Sequence, residues 1–246
     1  MKINIGWLYP DLMNTYGDRG NIIALSYRIK KRGIKCRIIK ISLKDDPNLI
    51  LQSDILFMGG AQDTQQEIVN KDLIENKAIF LKRKIEEYTP GIYVCGAYQF
   101  LGKYYKTALG KIIKGLGIFD LYTESPGIDA KRLIGDLIVE SKILNKKLVG
   151  FENHTGRTYL GKNVNPFSYV LKGFGNNGQD KTEGMIYKNS IGTYMHGPIL
   201  PKNPEVADWI ISKALEIKYK KTVKLKKLND DLENKARDAV FSINKF

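Results

Sequence analysis

Residues 91–102 read Gly91-Ile92-Tyr93-Val94-Cys95-Gly96-Ala97-Tyr98-Gln99-Phe100-Leu101-Gly102. A short apolar β-run ends at a cysteine, and a small residue and a helix-compatible segment follow at once. That order matches a nucleophile elbow, where a strand turns sharply into a helix and holds one reactive side chain at the turn. Gly96 relieves the crowded backbone of such a turn because it lacks a Cβ. A thiol at the start of the helix faces the positive end of the peptide dipoles, which favours the thiolate. A single cysteine is more often a buried core residue. The glycines at 91 and 96 favour the nucleophile.

Outward from this stretch the chain reads as α/β. Residues 3–9 form a strand, and 20–32 carry helical spacing through Ile22, Ile23, Leu25 and Ile29. Strands follow at 35–41 and 54–58, the latter running into Gly59-Gly60, and helical segments reach about Tyr88. Strands alternating with helices predict a central, mostly parallel sheet flanked by helices. The second half is richer in β-patterns, at 134–140, 147–152, 168–172, 183–188 and 191–195, with a turn at Gly175-Asn176-Asn177-Gly178. Asn203-Pro204-Glu205 supplies an N-cap, a proline at the first helical position and an early carboxylate. Val206, Trp209, Ile210, Ala214 and Ile217 continue that helix with one apolar face. Leu225, Leu228, Leu232, Ala236, Ala239, Val240 and Ile243 place a second such face on a C-terminal tail. The chain reads as one domain, 1–246, with about 222–246 as a helical appendage.

Bulk properties narrow the function classes. A hydrophobic content of 43% with 10% aromatics excludes general disorder. No uncharged apolar run approaches the ~18 residues needed to span a bilayer. The start, Met1-Lys2-Ile3-Asn4-Ile5-Gly6-Trp7, reads as a first strand and not as a secretory signal. Cys36 lies in the alternating run Lys35-Cys36-Arg37-Ile38-Ile39-Lys40-Ile41 as a small apolar residue, so a cytoplasmic, reducing location fits. The formal charge of +14 hints at an anionic surface nearby. Its lysines are dispersed, with no basic block interleaved with aromatics, so no nucleic-acid partner is expected.

A cysteine nucleophile needs a base, and the chain has 2 histidines. His196 ends the run Ile191-Gly192-Thr193-Tyr194-Met195, and His154 ends Val149-Gly150-Phe151-Glu152-Asn153. Both sit at strand ends, and spacing alone does not choose between them. Gly59-Gly60 after a buried strand lets backbone N–H groups approach a developing oxyanion. No phosphate loop is present, since Gly102-Lys103 is followed by a tyrosine, and no His/Cys cluster has metal spacing.

Gly59-Gly60, Cys95-Gly96 and His196 together resemble the class I, triad-type glutamine amidotransferases. The resemblance is to the cobyric-acid-synthase-like branch, where the glutamate two residues after the histidine is missing; that position is Pro198 here. Within it the chain is most similar to the GatD-type glutaminase subunits of lipid II isoglutaminyl synthase. Matching segments span most of the chain. They include Tyr16-Gly17-Asp18, Gly20 to Leu25, Tyr98 to Lys103, Arg132-Leu133, Gly150 to His154 and His196 to Asn203. Ala61 and Ala97 stand where the family usually has glycine, and a longer loop precedes Arg132.

The resemblance implies that Cys95 attacks the carboxamide of L-glutamine, with His196 as proton shuttle. Gly60 and Gly96 N–H groups would hold the oxyanion, and Arg132 the substrate α-carboxylate. Ammonia would pass to a Mur-ligase-like partner in a heterodimer that amidates the D-glutamate of lipid II in peptidoglycan synthesis. ATP and metal are expected on that partner and no cofactor on this chain, and the complex would work at the inner face of the membrane. The resemblance also suggests that the partner supplies the third triad residue as an aspartate; Glu152 and Asp18 are the in-chain candidates, with no spacing to favour either. Two other readings stay open: a glutaminase for a different synthetase, such as a corrinoid amidation enzyme, and a non-catalytic subunit that binds an anionic surface or nucleic acid.

Overall fold

The computed structural model of the chain describes residues 1–61 and 63–246, and the side chains of all of these except 63 and 64. The first half contains β1 (Lys2–Leu8), α1 (Arg19–Lys31), β2 (Lys35–Ile41), α2 (Asn48–Leu51), β3 (Ile55–Met58), α3 (Asp63–Asp72), α4 (Ala78–Glu86), β4 (Gly91–Val94) and α5 (Gly96–Phe100). Then come β5 (Tyr104–Lys106), β6 (Ile112–Lys114), β7 (Leu121–Glu124), β8 (Leu133–Ser141), β9 (Lys146–His154) and β10 (Arg157–Leu160). They are followed by β11 (Ser168–Lys172), β12 (Thr182–Glu183), β13 (Met185–Tyr187) and β14 (Ser190–Thr193). The C-terminal helices are α6 (Ile199–Lys202), α7 (Pro204–Tyr219) and α8 (Asp231–Ile243).

The central sheet has six strands in the order β13-β14-β4-β3-β1-β2. All neighbours pair in parallel except β13, which runs antiparallel at one edge. Every residue of β3 and β4 is buried, as parallel strands covered on both faces require. The period of two splits these strands between two cores. Ile55, Phe57, Ile92 and Val94 pack with Ile22, Leu25 and Ile29 of α1 and with Val206 to Leu215 of α7. Leu56, Met58 and Tyr93 point the other way, onto Val69, Leu81, Ile85, Ala97 and Phe100. The expected α/β architecture is present. No helix among the described residues is long and apolar enough to cross a membrane.

Three of the later strands do not extend this sheet. The runs at 134–140, 147–152 and 168–172 join a separate antiparallel sheet, ordered β12-β11-β8-β9. The expected strand 183–188 breaks at Gly184, which takes φ +63 and approaches the Gly192 carbonyl so closely that a Cβ would lie 2.3 Å from it. A third sheet, β10-β7-β5-β6, has no counterpart in the sequence pattern. Its strands are three or four residues long, too short to display a period. Stacked Tyr104, Tyr122 and Tyr159, with centroids 5.2 Å apart at each step, tie it together across the strands.

Two helix expectations need correction. Asn203 stands at the N-cap position of α7, but its side chain makes no cap bond. Instead its Oδ1 accepts from Val149 N–H and its Nδ2 donates to the Val149 and Ile199 carbonyls, pinning α6 and α7 to β9. The helical appendage expected over about 222–246 forms only from Asp231, because 222–230 are not helical; Leu225 packs on the core, whereas Leu232 and Ile243 stay 78% and 77% exposed. Helix α8 buries none of its residues and is attached by Arg237–Glu205 and, just before it, Arg28–Asp230.

Candidate active site

Strand β4 delivers Cys95 to the carboxyl edge of the central sheet with φ 52 and ψ −107. A non-glycine residue there costs on the order of 1–3 kcal/mol and persists only where its surroundings enforce it. Cys95 N–H donates to the Thr193 carbonyl of β14 at 2.9 Å, and its own carbonyl accepts Gln99 N–H of α5 at 3.0 Å. The sharp turn seen in the sequence is therefore held from both sides. Gly96 sits close against Gln66: a Cβ there would lie 2.9 Å from Gln66 Nε2.

Strand β14 runs parallel to β4 with Thr193 opposite Val94, so the chain after β14 passes the elbow. His196 N–H donates to the Phe151 carbonyl at 2.7 Å, which fixes the histidine backbone against β9. A Cβ on Gly60 would sit 3.0 Å from His196 Cε1 and 3.2 Å from Cys95 Cβ, so Gly59-Gly60, Cys95 and His196 converge.

A fourth group joins them. Asp18, fully buried, places Oδ1 3.3 Å from His196 Nδ1 and accepts the Gly60 N–H on Oδ2 at 2.7 Å. Of the two in-chain candidates for a third triad residue, Asp18 is the one that faces the histidine. Spacing could not reveal it, because the two residues are 178 positions apart. Burial opposes a charged imidazole, but the Cys95 sulfur and the Asp18 carboxylate outweigh it and raise His196 well above its ordinary range. His196 Nε2 has no hydrogen-bond partner among the described residues and remains available for proton transfer. One correction concerns Gly60: its N–H, expected to face an oxyanion, is already held by Asp18.

Of these groups Cys95 lines a cavity of about 320 Å³, a size within the ~300–1,000 Å³ of small-molecule sites, and His196 and Asp18 stand behind it. Arg132 lies at its exposed rim. Its Nε donates to Asn153 Oδ1 at 2.7 Å, Nη1 to Thr155 Oγ1 at 3.0 Å and Nη2 to the Asn153 carbonyl at 3.0 Å. A guanidinium has five N–H donors, so two remain to grip a carboxylate. Tyr16, at φ 56, closes another wall; its ring lies edge-on to His196 and its hydroxyl accepts Asn153 Nδ2 at 2.7 Å.

His154 also lines the cavity but is differently held. Its ring stacks flat on Tyr194, with centroids 3.6 Å apart, and Nδ1 bonds the Gly156 carbonyl at 2.8 Å. Glu152 lies 3.6 Å from Nε2, but its oxygens accept Phe174 and Gly175 N–H groups.

The sequence profile of the CobB/CobQ-like glutamine amidotransferase domain matches residues 4–204. The chain belongs to that family. A lipid II isoglutaminyl synthase (glutamine-hydrolyzing) subunit GatD from Staphylococcus aureus is 47% identical over 217 residues, covering 88% of this chain and 86% of that protein. The corresponding GatD of Streptococcus pneumoniae is 39% identical, covering 94% and 87%. A probable cobyric acid synthase of Methanosphaera stadtmanae is 30% identical, but the match covers only 38% of its length. The chain is thus a GatD-type member of the family. In three dimensions, a crystal structure of a glutamine amidotransferase superposes with a TM-score of 0.59 at 15% identity, covering 85% of this chain and 98% of that one, which shows the shared fold.

Several site residues of this amidotransferase carried no local signal. Gln66 lines the cavity and donates Nε2 to the Ala61 carbonyl at 2.7 Å. Gln99 donates to the Tyr194 hydroxyl at 3.0 Å, which in turn bonds Thr158 at 2.6 Å. Polar residues within a helix pattern look like solvated face positions, and only the packing turns them inward.

Proposed function

We propose that this amidotransferase is the glutamine-hydrolysing subunit of a lipid II isoglutaminyl synthase and that Cys95, His196 and Asp18 carry its chemistry. The Cys95 thiolate attacks the δ-carbon of L-glutamine, and the carbonyl electron pair moves onto oxygen. His196, protonated on Nε2 and paired through Nδ1 with Asp18, gives its proton to the departing nitrogen as ammonia leaves. Water, deprotonated by the same nitrogen, then hydrolyses the glutamyl thioester to glutamate and frees the thiolate. Arg132 receives the α-carboxylate with its two remaining donors, which selects an amino acid over a simple amide.

Ammonia free in neutral water is protonated and loses its nucleophilicity, so it is handed on within a complex. The receiver is a Mur-ligase-like, ATP-dependent subunit that amidates the D-glutamate of lipid II, with ATP and metal bound there. The function named for the two GatD relatives supports this choice over a corrinoid synthetase. The observation that carries the chemical reading is the convergence of Cys95, His196 and Asp18 around Gly60, with Cys95 lining the cavity. Glutamate release from L-glutamine by the chain, alone and with the Mur-ligase-like protein, together with amidation of lipid II by the pair, tests it. No glutamate in either arm refutes the glutaminase, and amidation that ignores this chain refutes the partner.

A further inference from the structure

The end of the central sheet opposite the cavity carries an unmatched charge. Strands β1, β3, β4 and β14 run parallel, so Cys95, after β4, marks the carboxyl edge and Lys2, at the start of β1, marks the amino edge. Lys35 opens β2 directly beside Lys2, and its N–H donates to the Met1 carbonyl at 3.0 Å. Helix α7 ends at the same edge, where the Tyr219 hydroxyl accepts Lys2 N–H at 2.7 Å. Around that tether, residues 217–229 hold six lysines and no acidic residue. Val223 and Leu225 pack on the core, Lys224 between them is exposed, and the Lys226 carbonyl accepts Arg32 Nε at the end of α1 at 2.8 Å. The segment is thereby held across the amino edge.

The acids that touch these segments are already paired. Asp54 binds Lys218, Asp208 binds Arg28 and Arg32, and Asp230 binds Arg28. Lys2, Lys35, Lys220, Lys221, Lys224 and Lys227 are exposed and make no ion pair among the described residues. Like charges gathered on one face repel each other and favour an anionic counterpart. Two apolar side chains stand among them: Met1 is 56% exposed and Ile217, in the last turn of α7, 43%. Lysines around exposed apolar tips suit a face that lies on anionic lipid, where the charges meet headgroups and the tips enter the interface. A nucleic acid would meet the same lysines but needs rings to stack its bases, and Tyr219 is tied by its hydroxyl to Lys2.

We infer that the amino edge of the central sheet, from Lys2 and Lys35 to Lys227, is a docking face for an anionic lipid surface. The cavity at the carboxyl edge then faces away from the lipid and stays open to solvent. A strand rises about 3.3 Å per residue, so the seven residues of β1 separate the two edges by roughly 23 Å. The face lies apart from Cys95, and lipid binding is read independently of glutamine hydrolysis.

Sedimentation of the full chain with vesicles tests it, comparing phosphatidylcholine alone with phosphatidylcholine holding about 30% phosphatidylglycerol. The chain should partition at least about tenfold better onto the anionic vesicles, and the gain should vanish by about 500 mM salt. Each lysine close to such a surface is worth about fivefold. Combining Lys220→Gln, Lys221→Gln, Lys224→Gln and Lys227→Gln should therefore remove most of that gain. Combining Lys114→Gln, Lys162→Gln, Lys172→Gln and Lys181→Gln removes the same charge elsewhere and should keep the gain within about threefold. Both variants should retain the parent's unfolding midpoint in denaturant, since all eight side chains are surface lysines without ion pairs. Equal binding of the parent to the two kinds of vesicle overturns the assignment, and so does an equal loss in the two variants. Tighter binding to a single-stranded DNA oligonucleotide than to the anionic vesicles, lost in the first variant alone, gives the face to nucleic acid and overturns it as well. A chain without glutaminase activity would refute the function proposed above and leave the vesicle result standing.

Discussion

His196 and His154 are both buried and both have a carboxylate within 4 Å, yet they are driven in opposite directions; His154 ends β9, and His196 lies three residues beyond β14. Burial lowers the pKa of His154, and Glu152 does not reverse it. Burial opposes the charge on His196 too, but Cys95 and Asp18 together raise it. The difference lies in what the carboxylates have left to offer. Glu152 commits both oxygens to Phe174 and Gly175 N–H groups, and His154 is locked by its Gly156 bond and its Tyr194 stack. Asp18 commits one oxygen to Gly60 and keeps the other for His196. A buried histidine beside a carboxylate is raised only when the carboxylate is not already consumed and a second group, here the Cys95 sulfur, adds to it.

The contrast between the histidines can be broken first at its strongest point. Cys95→Ala or His196→Ala should lower glutamate release by roughly 10⁴-fold or more, whereas His154→Phe, which keeps the stack on Tyr194, should stay within about threefold. Exchanged results would mean that the two histidines have each other's role. His154→Phe should still cost about 1–2 kcal/mol in denaturant unfolding through its lost Gly156 bond.

The carboxylates give the next contrast. Asp18→Asn should reduce kcat by about 10²–10⁴-fold, because an amide can neither balance the imidazolium nor hold the right tautomer. Glu152→Gln should change kcat little and act on stability. Parental kcat in Asp18→Asn, with loss on mutating an aspartate of the synthetase, would place the third triad residue on the partner after all.

Arg132 lies outside both pairs and should act on binding. Arg132→Ala should raise KM for glutamine more than tenfold with a smaller change in kcat, and Lys131→Ala less than twofold. Equal effects of the two would leave only general electrostatic attraction.

A third buried carboxylate sharpens the rule. Glu183 accepts from Thr193 Oγ1 and Tyr194 N–H on one oxygen and has no partner on the other among the described residues. Burial pushes it up to about 7 from the ordinary 4.5. The native state therefore binds this proton more tightly than the unfolded chain does. Its contribution is full below about pH 4.5, falls as pH rises and is gone above about 7. Glu183→Gln keeps an acceptor and removes the titration, so it should flatten the pH dependence between 5 and 8 by at most about 3 kcal/mol. Activity should hardly move. Parallel unfolding curves at both pH values would show that Glu183 does not titrate there.

Much of this was legible in the residues. The run 91–102 announced a strand, a sharp turn at Cys95 and a helix within a dozen positions, because an elbow is a local object set by β-propensity and a missing Cβ at Gly96. Alternation of strands and helices announced the parallel sheet, since strands buried on both faces must be apolar throughout. The segments matching the amidotransferase family pointed to Cys95, His196 and Arg132 by residue type and order.

What the residues did not announce is how their polar groups pair. Asn203 looks like a helix cap and instead clamps β9; Gly60 looks like an oxyanion donor and instead binds Asp18. Strands of three or four residues in the β10-β7-β5-β6 sheet show no period, so only pairing with distant neighbours makes them strands. The choice of Asp18 over Glu152 as the partner of His196 was likewise decided by tertiary structure. Hydrophobic periodicity is a property of one segment and is written along it. A hydrogen bond between residues 18 and 196 belongs to no segment and exists only once the sheet brings its loops to a common edge.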